Sequence, residues 1–267
     1  MTVDKTDRWS SGAAYEAYVG RWSRRVAVEF FDWLAVPARR RWLDLGCGTG
    51  ALTETILERL DPRSVIGVDP SAAFLDHARA RVLDPRATFQ AGSAEATGLA
   101  DEAVDAVASG LVLNFVPDIG AALREVRRVL ARGCTAGAYV WDYADGMQFM
   151  RRFWDAATDL DPAAGALDEG ARFPIASPDR FSEAFEAAGL VDVEARAIDI
   201  PTVFASFDDL WSPFLGGTGP GPVYVASLAE GPRAALRDRY REAVGSEPDG
   251  SIHLRARAWA VKGHRPA

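Results

Sequence analysis

A glycine-rich turn directly after a short apolar strand constrains this chain more than any other part of its sequence. The strand predicted over Arg41–Leu45 runs into Gly46-Cys47-Gly48-Thr49-Gly50, and a helix-forming segment, Gly50–Leu60, follows at once. Glycine has no Cβ, so this turn can adopt backbone angles that other residues avoid and lets a ligand approach the main chain closely. The start of the helix adds unpaired N–H groups and a positive dipole end. We therefore expect a pocket for a nucleotide-like ligand here.

Strand and helix signals alternate through the middle of the chain. Further strands are predicted over Val65–Asp69, Thr88–Ala91, Val104–Ser109 and Thr135–Trp141, and helices over Ala72–Val82 and Ile119–Leu130. Ser71 is predicted to cap the first of these helices. The alternation predicts a parallel sheet with helices on both faces. Right-handed crossovers then place all strand carboxyl ends along one edge, where ligands bind in open sheets of this kind.

The last half of the chain is less regular. Asp142–Ser177 and Pro201–Gly250 interrupt the alternation, although helices are predicted near Met150–Leu160 and Arg233–Val244. Around them lie segments predicted as a helix, a strand and a last strand: Pro178–Ala188, Val191–Ile200 and Ser251–Val261. With 267 residues, the chain fits one large domain or a core domain with an inserted cap.

Composition excludes several classes of protein. The net charge of −8 counts against non-specific nucleic-acid binding, which needs a basic surface. Only Cys47 and Cys134 occur, too few for a disulfide framework, and this predicts a cytoplasmic location. No apolar run approaches the ~18 residues of a membrane span, and Met1–Arg8 shows no signal-peptide core. No grouping has metal-ligand spacing, so no metal is predicted.

Polar residues at the predicted strand ends narrow the choice of ligand. Asp44 ends the first strand just before the glycines, where a carboxylate can attract an ammonium group but would repel a pyrophosphate. Asp69 ends the second strand, where a carboxylate can accept both hydroxyl groups of a ribose. Gly92-Ser93-Ala94 follows the third strand and Ser109–Asn114 the fourth, both at the edge that binds ligands.

Three motifs in this order carry a family resemblance. They are Asp-Leu-Gly-Cys-Gly-Thr-Gly at 44–50, Gly-Val-Asp-Pro-Ser at 67–71 and Asp-Ala-Val-Ala-Ser-Gly-Leu-Val-Leu-Asn-Phe-Val-Pro-Asp at 105–118. Over roughly residues 41–141 the chain resembles a class I S-adenosylmethionine-dependent methyltransferase of the small-molecule type that includes the quinone C-methyltransferases. The resemblance implies a Rossmann-like, doubly wound sheet of seven strands, mostly parallel with an antiparallel last strand. Ser251–Val261 would be that strand, in a hairpin with Val191–Ile200.

The resemblance also implies a division of the chain. Residues 1–40 would form an N-terminal helical lid and residues 41–141 the cofactor-binding core. Residues 142–267 would supply the remaining core strands, with cap insertions at 142–177 and 201–250. The acceptor pocket is expected from the lid and the two insertions.

Carried over residue by residue, the resemblance assigns S-adenosylmethionine to one set of positions. The glycines would cradle its methionine portion, with Asp44 near the amino group and Asp69 at the ribose. One position departs from the family pattern, because Ser93 stands where an aspartate usually accepts the adenine amino group. The candidate cofactor-binding residues are Asp44, Gly46, Cys47, Gly48, Gly50, Asp69, Pro70, Ser71, Phe74, Gly92, Ser93, Ala94, Ser109 and Gly110.

The N-terminal segment adds further candidates. Tyr15, Tyr18 and Trp22 are spaced to share one face of a helix. This aromatic stripe can pack on the core, or it can belong to a lid that closes over the cofactor. On the second interpretation Tyr15, Tyr18 and Arg21 join the cofactor-binding set.

Methyl transfer from a sulfonium is an in-line displacement, so the protein mainly aligns the reactants and excludes water. A general base helps only where the acceptor must lose a proton. Asp142, Tyr143 and Asn114 follow strand ends and are the candidate catalytic residues. The insertions are rich in aromatic residues, which suggests a small apolar or aromatic acceptor, although a cap with its own core explains them equally well. These residues are Trp154, Phe173, Phe204, Phe207, Trp211, Phe214 and Tyr224.

Three other functions compete with a methyltransferase that acts on a small molecule. A short-chain nicotinamide oxidoreductase needs Tyr-x-x-x-Lys, but Ala258 precedes Lys262 by four residues and Met1 precedes Lys5 by four. Methylation of a nucleic-acid base usually requires Pro-Pro after the fourth strand, whereas Phe115 and Val116 follow Asn114. A protein that binds S-adenosylmethionine without transferring its methyl group stays open.

Overall fold

The described part of the protein is built on one seven-stranded sheet. The structure is a computed structural model that describes residues 21–216 and 219–267, so Tyr15 and Tyr18 lie outside the described residues. The strand order is β3-β2-β1-β4-β5-β7-β6. The strands are β1 (Arg41–Leu45), β2 (Ser64–Asp69), β3 (Ala87–Ala91), β4 (Val104–Gly110), β5 (Leu130–Trp141), β6 (Val191–Phe204) and β7 (Ile252–His264).

Strand directions agree with the expected fold class. β1 pairs in parallel with β2 and β4, β2 with β3, and β4 with β5. The Gly133 N–H donates to the Arg265 carbonyl at 2.9 Å, and the Arg265 N–H donates to the Cys134 carbonyl at 3.0 Å. Such reciprocal bonds are made by antiparallel strands, so β7 runs against β5. The predictions of a mostly parallel, Rossmann-like sheet, of an antiparallel last strand and of its place beside β6 are confirmed.

Helices connect and flank these strands. Across the described ranges they are α1 (Arg21–Leu34), α2 (Ala51–Arg59), α3 (Ala72–Arg81), α4 (Ile119–Val129), α5 (Gln148–Leu160), α6 (Glu169–Arg172), α7 (Pro178–Ala187), α8 (Phe207–Trp211), α9 (Pro220–Ser227) and α10 (Glu230–Val244). Short 3-10 turns occupy Leu113–Phe115, Pro162–Leu167 and Ser212–Gly216. Within the described residues, no helix is both long and apolar enough to cross a membrane.

The strand β5 begins five residues before the predicted Thr135, directly after α4. Leu130 already pairs with Val104 of β4, across a register shift in the β4–β5 ladder, and a long-range contact supports this segment. The Arg265 guanidinium on β7 donates to the carbonyls of Arg127, Arg128 and Leu130 at 2.9, 2.9 and 2.7 Å. These bonds satisfy carbonyls that would otherwise be left unpaired where the helix ends.

The chain divides into two compact units. We call residues 23–140, 177–198 and 259–267 the core unit, and Arg21, Trp22 and residues 141–176 and 199–258 the second unit. In the core unit, α1 packs on the sheet through aromatic rings. The Phe30 ring lies 4.9 Å from that of Tyr139, and Phe31 meets Trp42 edge to face at 5.6 Å. The domain boundaries expected from the sequence stay a prediction.

The second unit has an aromatic core of its own. Phe153 stacks on Phe214 at 4.3 Å, and Tyr240 meets both rings at 5.7 Å. Trp211 stacks on Phe214 at 5.8 Å and on Phe207 at 6.2 Å. All five side chains are buried, so the aromatic residues of the two insertions make much of their contact with one another.

Candidate active site

The glycine turn lies at the carboxyl end of β1 and is hydrogen-bonded to the backbone of β2. The N–H groups of Gly46 and Cys47 both donate to the Val68 carbonyl, at 2.8 and 3.1 Å. Gly46 and Gly48 have φ of 75° and 52°, in the left-handed region that disfavours residues with a Cβ. A Cβ on Gly46 would lie 2.5 Å from both methyl groups of Val112, whereas a Cβ on Gly48 would have nothing within 4 Å. Gly46 therefore serves packing, and Gly48 borders open space where a ligand can approach the main chain.

Asp44 is a buried carboxylate with one unsatisfied oxygen. Its side chain is 1% exposed, and its Oδ2 accepts a hydrogen bond from the Thr53 hydroxyl of α2 at 2.6 Å. Its Oδ1 is buried without a hydrogen-bond partner. Burial raises the pKa of Asp44 to about 7, although the Thr53 hydroxyl opposes the shift. A buried acceptor without a partner is costly, and a cationic N–H group from a ligand would satisfy it.

Asp69 ties the turn to the start of α3. Its Oδ2 accepts the Gly48 N–H at 3.0 Å, and its Oδ1 accepts the Ser71 N–H at 2.8 Å. Burial raises the pKa of Asp69, and these two N–H groups partly oppose that shift. Ser71 Oγ accepts the Phe74 N–H at 3.3 Å, which confirms the predicted N-cap. Each carboxylate oxygen keeps lone-pair capacity, so Asp69 can still accept hydroxyl groups from a ribose.

Cys47 and the residues that follow β3 shape the site through packing and backbone bonds. The Cys47 thiol is buried, and burial raises its pKa well above the ordinary value, so it is not a reactive thiolate. After β3, the N–H groups of Ser93 and Ala96 donate to each other's carbonyls at 3.1 and 3.2 Å. This turn leaves Ser93 half-buried and Ala94 buried, whereas Pro70 on the neighbouring loop is exposed.

The chain leaves β4 through a strained residue. The Ser109 hydroxyl donates to the Leu45 carbonyl at 2.9 Å and thereby joins β4 to β1. After Gly110, Leu111 has φ of 63°, which is unfavourable for a side chain of its size, and its N–H donates to the Tyr139 carbonyl at 2.8 Å. This left-handed conformation at Leu111 redirects the backbone, and the 3-10 turn Leu113–Phe115 follows.

Asn114 in this turn has no partner for either end of its amide. Its side chain is 9% exposed, and both Oδ1 and Nδ2 are buried without a hydrogen bond. Val112, two residues earlier, is the residue that packs over Gly46. A buried amide with an unpaired donor and an unpaired acceptor is rare in folded proteins and calls for a specific explanation. A ligand at the carboxyl end of β4 would supply both partners.

Two of the candidate catalytic residues, Asp142 and Tyr143, belong to the second unit. The Asp142 Oδ1 accepts the Asp145 N–H at 3.2 Å, and its carbonyl accepts the Met147 N–H at 2.9 Å, so Asp142 builds the turn after β5. Burial raises the pKa of Asp142. Tyr143 packs its ring 5.5 Å from that of Phe173. The sequence pointed to neither Thr53 nor Val112, because their roles depend on contacts between separate segments.

The geometry of the core unit defines a class of protein. An open α/β sheet with a glycine turn after β1, a buried carboxyl group, Asp69, at the end of β2 and an unpaired carboxyl oxygen at Asp44 suits a nucleoside cofactor that carries an amino group. No group of three or more His, Cys, Asp or Glu side chains among residues 21–216 and 219–267 is placed to hold a metal ion. The arrangement is that of a class I methyltransferase.

Comparison with known proteins identifies the family. A family description named "Methyltransferase domain" matches residues 43–136. Over 181 residues the chain is 32% identical to a demethylmenaquinone methyltransferase of Roseiflexus sp. strain RS-1, covering 62% of this chain and 74% of that protein. The chain belongs to the S-adenosylmethionine-dependent methyltransferase family, of the small-molecule class I type.

Two further proteins are similar to this chain, one over about half of its length and one only in its fold. An uncharacterised methyltransferase of Mycobacterium tuberculosis strain H37Rv is 41% identical over 147 residues, which span 54% of this chain and 57% of that relative. A phosphoethanolamine N-methyltransferase of Haemonchus contortus, solved with S-adenosylhomocysteine and phosphomonomethylethanolamine, has a TM-score of 0.61 at 16% identity and covers 96% of this chain and 57% of that one. The second similarity shows the fold alone.

S-adenosylmethionine is the cofactor of this family, and the residues present fit it. Its α-ammonium group is a donor of the kind that the unpaired Asp44 oxygen lacks. Its ribose hydroxyls are donors that the remaining lone pairs of the Asp69 carboxylate can accept. The open space beside Gly48 leaves room for its methionine portion.

Proposed function

We propose that this protein transfers the methyl group of S-adenosylmethionine to a small-molecule acceptor. The observation that carries the proposal is the buried, unpaired Oδ1 of Asp44, which directly precedes a turn where Gly48 borders open space. A fold that only needed the turn for packing would have no reason to keep a buried carboxyl oxygen without a partner. A cationic amino group bound here donates a hydrogen bond to this oxygen. Its positive charge also stabilises the carboxylate form of Asp44, which burial otherwise disfavours.

We assign the cofactor-binding roles as the sequence predicted them. Asp44 binds the amino group, Asp69 the ribose, and Gly46, Gly48 and Gly50 border the methionine portion. Half-buried Phe74 has an aromatic face for the adenine or ribose. The remaining proposed members are Cys47, Pro70, Ser71, Gly92, Ser93, Ala94, Ser109, Gly110, Tyr15, Tyr18 and Arg21.

We propose that Asn114 orients the acceptor. Bound S-adenosylmethionine supplies an electrophilic methyl group, so the protein needs to align a nucleophile and exclude water. The Asn114 amide takes up no proton near neutral pH, but its paired donor and acceptor can hold a hydroxyl, carbonyl or amino group in one orientation. Asp142 and Tyr143 remain candidates for a proton acceptor. The backbone bonds that the Asp142 carboxylate accepts favour a structural role for it.

We propose that the acceptor is small and apolar or aromatic. Support comes from the Roseiflexus relative, which is a demethylmenaquinone methyltransferase. The aromatic residues of the second unit add little support, because their rings contact one another. The acidic net charge of −8 supports an acceptor other than a nucleic acid, and the two free cysteines support a cytoplasmic location.

The cofactor assignment is tested by calorimetry with S-adenosylhomocysteine. Asp69→Ala should weaken binding at least about tenfold, because a charged acceptor is lost. Asp84→Ala is the matched control, since Asp84 lies in the same unit and pairs with Arg86 on the surface. Equal affinity for wild type and Asp69→Ala would overturn the assignment of Asp69.

Methyl transfer is tested with a trideuteromethyl form of S-adenosylmethionine and a panel of quinols, phenols, amines and carboxylic acids. Mass spectrometry should find the label on at least one acceptor, and Asn114→Leu should lower that turnover without changing affinity for S-adenosylhomocysteine. Tight cofactor binding with no labelled product from the panel or from a cell extract would favour a binding protein over an enzyme.

A further inference from the structure

Thr53 of α2 uses its hydroxyl group on a side chain of a different element. Its Oγ1 donates to Asp44 Oδ2, near the end of β1, at 2.6 Å. Both residues belong to the core unit, and both are buried, with Thr53 0% and Asp44 1% exposed. A threonine hydroxyl carries one proton, so it donates one hydrogen bond at a time. The only side-chain donor of Thr53 is therefore used on the Asp44 carboxyl group.

Another threonine of the same helix shows the more common behaviour. Thr55 is also buried, but its Oγ1 donates to the Ala51 carbonyl at 3.0 Å, four residues earlier in α2. Bonds of this local kind are frequent for threonine within a helix. Thr53 instead donates to a carboxyl group outside the helix. The two threonines are therefore alike in burial and in helix, and they differ in the partner of the hydroxyl.

The position of Thr53 at the start of α2 adds a second favourable interaction. Thr53 is the third residue of the helix, and the N-cap residue Gly50 makes no side-chain hydrogen bond. The first N–H groups of a helix have no partner inside it and attract negative charge. Burial raises the pKa of Asp44, and the hydroxyl and the main-chain N–H of Thr53 both oppose that shift. Thr53 thus favours the ionised form of Asp44 through its side chain and its main chain.

The hydroxyl also determines which oxygen of Asp44 is available. An aspartate carboxyl group rotates easily about its last side-chain bond, because that torsion has broad energy wells. Here Oδ2 is held by Thr53, whereas Oδ1 is buried without a hydrogen-bond partner. Since a carboxyl group is planar, a bond that fixes one oxygen also fixes the direction of the other oxygen's lone pairs. Thr53 therefore restrains the orientation of the unpaired Oδ1.

The other titratable groups next to Asp44 do not favour its ionised form. Asp69, at the end of β2, raises the pKa of Asp44 by charge repulsion. The Cys47 thiol in the glycine turn is neutral, because burial raises its pKa well above the ordinary value. Within the described ranges, the interactions that stabilise the Asp44 carboxylate before a ligand binds therefore come from Thr53.

We propose that Thr53 is a positioning residue for the cofactor. Its hydroxyl holds the Asp44 carboxyl group in the orientation that leaves Oδ1 for the amino group of S-adenosylmethionine, and it stabilises the carboxylate that this amino group needs. This inference rests on the proposed function, because that function places an amino group at Asp44. Thr53 acts through Asp44 and not by contact with the ligand.

The test is calorimetry of the full-length protein at pH 6 and pH 8 with two ligands. S-adenosylhomocysteine carries the amino group, whereas 5′-methylthioadenosine shares its nucleoside but lacks both the amino group and the carboxylate. Thr53→Val keeps the shape of the side chain and removes the hydroxyl. Circular dichroism checks that each variant is folded, and Thr53→Ala takes the place of Thr53→Val if the latter does not fold.

The expected loss depends on pH. Without the hydrogen bond to a charged group, the pKa of Asp44 should rise from about 7 to about 8. Asp44 would then be ionised in roughly 1% of molecules instead of roughly 9% at pH 6, and in about 50% instead of about 91% at pH 8. Affinity for S-adenosylhomocysteine should therefore fall about tenfold at pH 6 and about twofold at pH 8. Affinity for 5′-methylthioadenosine should not change.

Three further variants separate positioning from packing. Thr53→Ser keeps the hydroxyl and should bind S-adenosylhomocysteine within about twofold of the wild type. Thr55→Val is the matched control, because it removes a buried hydroxyl of the same helix that bonds only to the main chain, and it should leave the pH profile unchanged. In an Asp44→Asn background, Thr53→Val should cause no further loss, since the two residues act as one unit.

Three results would overturn this inference and leave the proposed function standing. One is a pH profile of Thr53→Val equal to that of the wild type. Another is an equal loss of affinity for both ligands, and the third is a loss in Thr53→Ser as large as that in Thr53→Val; either would assign Thr53 to packing. A wild type that binds S-adenosylhomocysteine with no dependence on pH would instead overturn the role of Asp44, on which the inference and the proposed function both rest.

Discussion

The most informative prediction concerns the protonation of Asp44. Burial raises the pKa of this carboxyl from 3.8 to about 7, so the folded protein without cofactor holds a proton there that the unfolded chain has released. The free energy of unfolding therefore falls as pH rises between these two values. A cationic amino group favours the ionised form, so cofactor binding below pH 7 should release a proton.

The magnitude follows from the fraction of Asp44 that is ionised. With a pKa of about 7, roughly 1% is ionised at pH 5 and about half at pH 7. Affinity for S-adenosylhomocysteine should therefore rise about 50-fold between pH 5 and pH 7, and approach tenfold per pH unit at the acidic end of this range. Asp44→Asn removes both the charge and the titration, so its affinity should be low and nearly independent of pH.

The assay is calorimetry across pH 5–7, repeated in two buffers with different ionisation enthalpies. The difference between buffers reports the protons released on binding. Asp105→Asn is the control, because Asp105 lies in the same unit but is held ionised by Arg41, which lowers its pKa. The wild-type pH profile should persist in that variant.

Two results would refute the reasoning. One is an affinity for S-adenosylhomocysteine in the wild type that does not change between pH 5 and pH 7. The other is a rise of the same size in Asp44→Asn, which would assign the titration to a different group. Either would mean that no cationic group meets the Oδ1 of Asp44.

Three further predictions follow from packing and burial. Gly46→Ala should lower the free energy of unfolding by about 2 kcal/mol or more in urea denaturation, because its Cβ would lie 2.5 Å from the Val112 methyl groups; an unchanged midpoint would contradict this. Gly48→Ala should lower the free energy of unfolding by only about 1 kcal/mol, because its φ of 52° is unfavourable for alanine. The same substitution should weaken S-adenosylhomocysteine binding in calorimetry, and an unchanged affinity would mean that the open side of Gly48 borders no ligand. Glu169 accepts a hydrogen bond from Trp154, and burial raises its pKa to about 7, so Glu169 should contribute up to about 3 kcal/mol of the stability that the wild type loses between pH 4.5 and pH 8. Glu169→Gln should therefore lose that much less stability than the wild type over this range, while the share due to Asp44 persists; equal losses in urea denaturation of both proteins would contradict this.

Local signals predicted most of the core unit. Ser71 was correctly expected to cap α3, because an N-cap depends on residues only three positions apart. The alternation of strands and helices predicted the sheet, because apolar spacing reflects which face of an element is buried. The early start of β5 is not visible in the sequence, because it depends on pairing with Val104 of β4 and on Arg265, which lies more than 130 residues further along the chain.

The sequence alone determined that this chain folds as a class I methyltransferase and which two carboxylates border the glycine turn. These features are local, since glycine conformations and strand-end positions are set by neighbouring residues. Only the tertiary structure decided that Asp44 keeps one oxygen unpaired and that Asn114 is buried with both ends of its amide unpaired. Hydrogen-bond satisfaction and burial depend on which distant segments meet, and a sequence pattern does not encode those contacts one residue at a time.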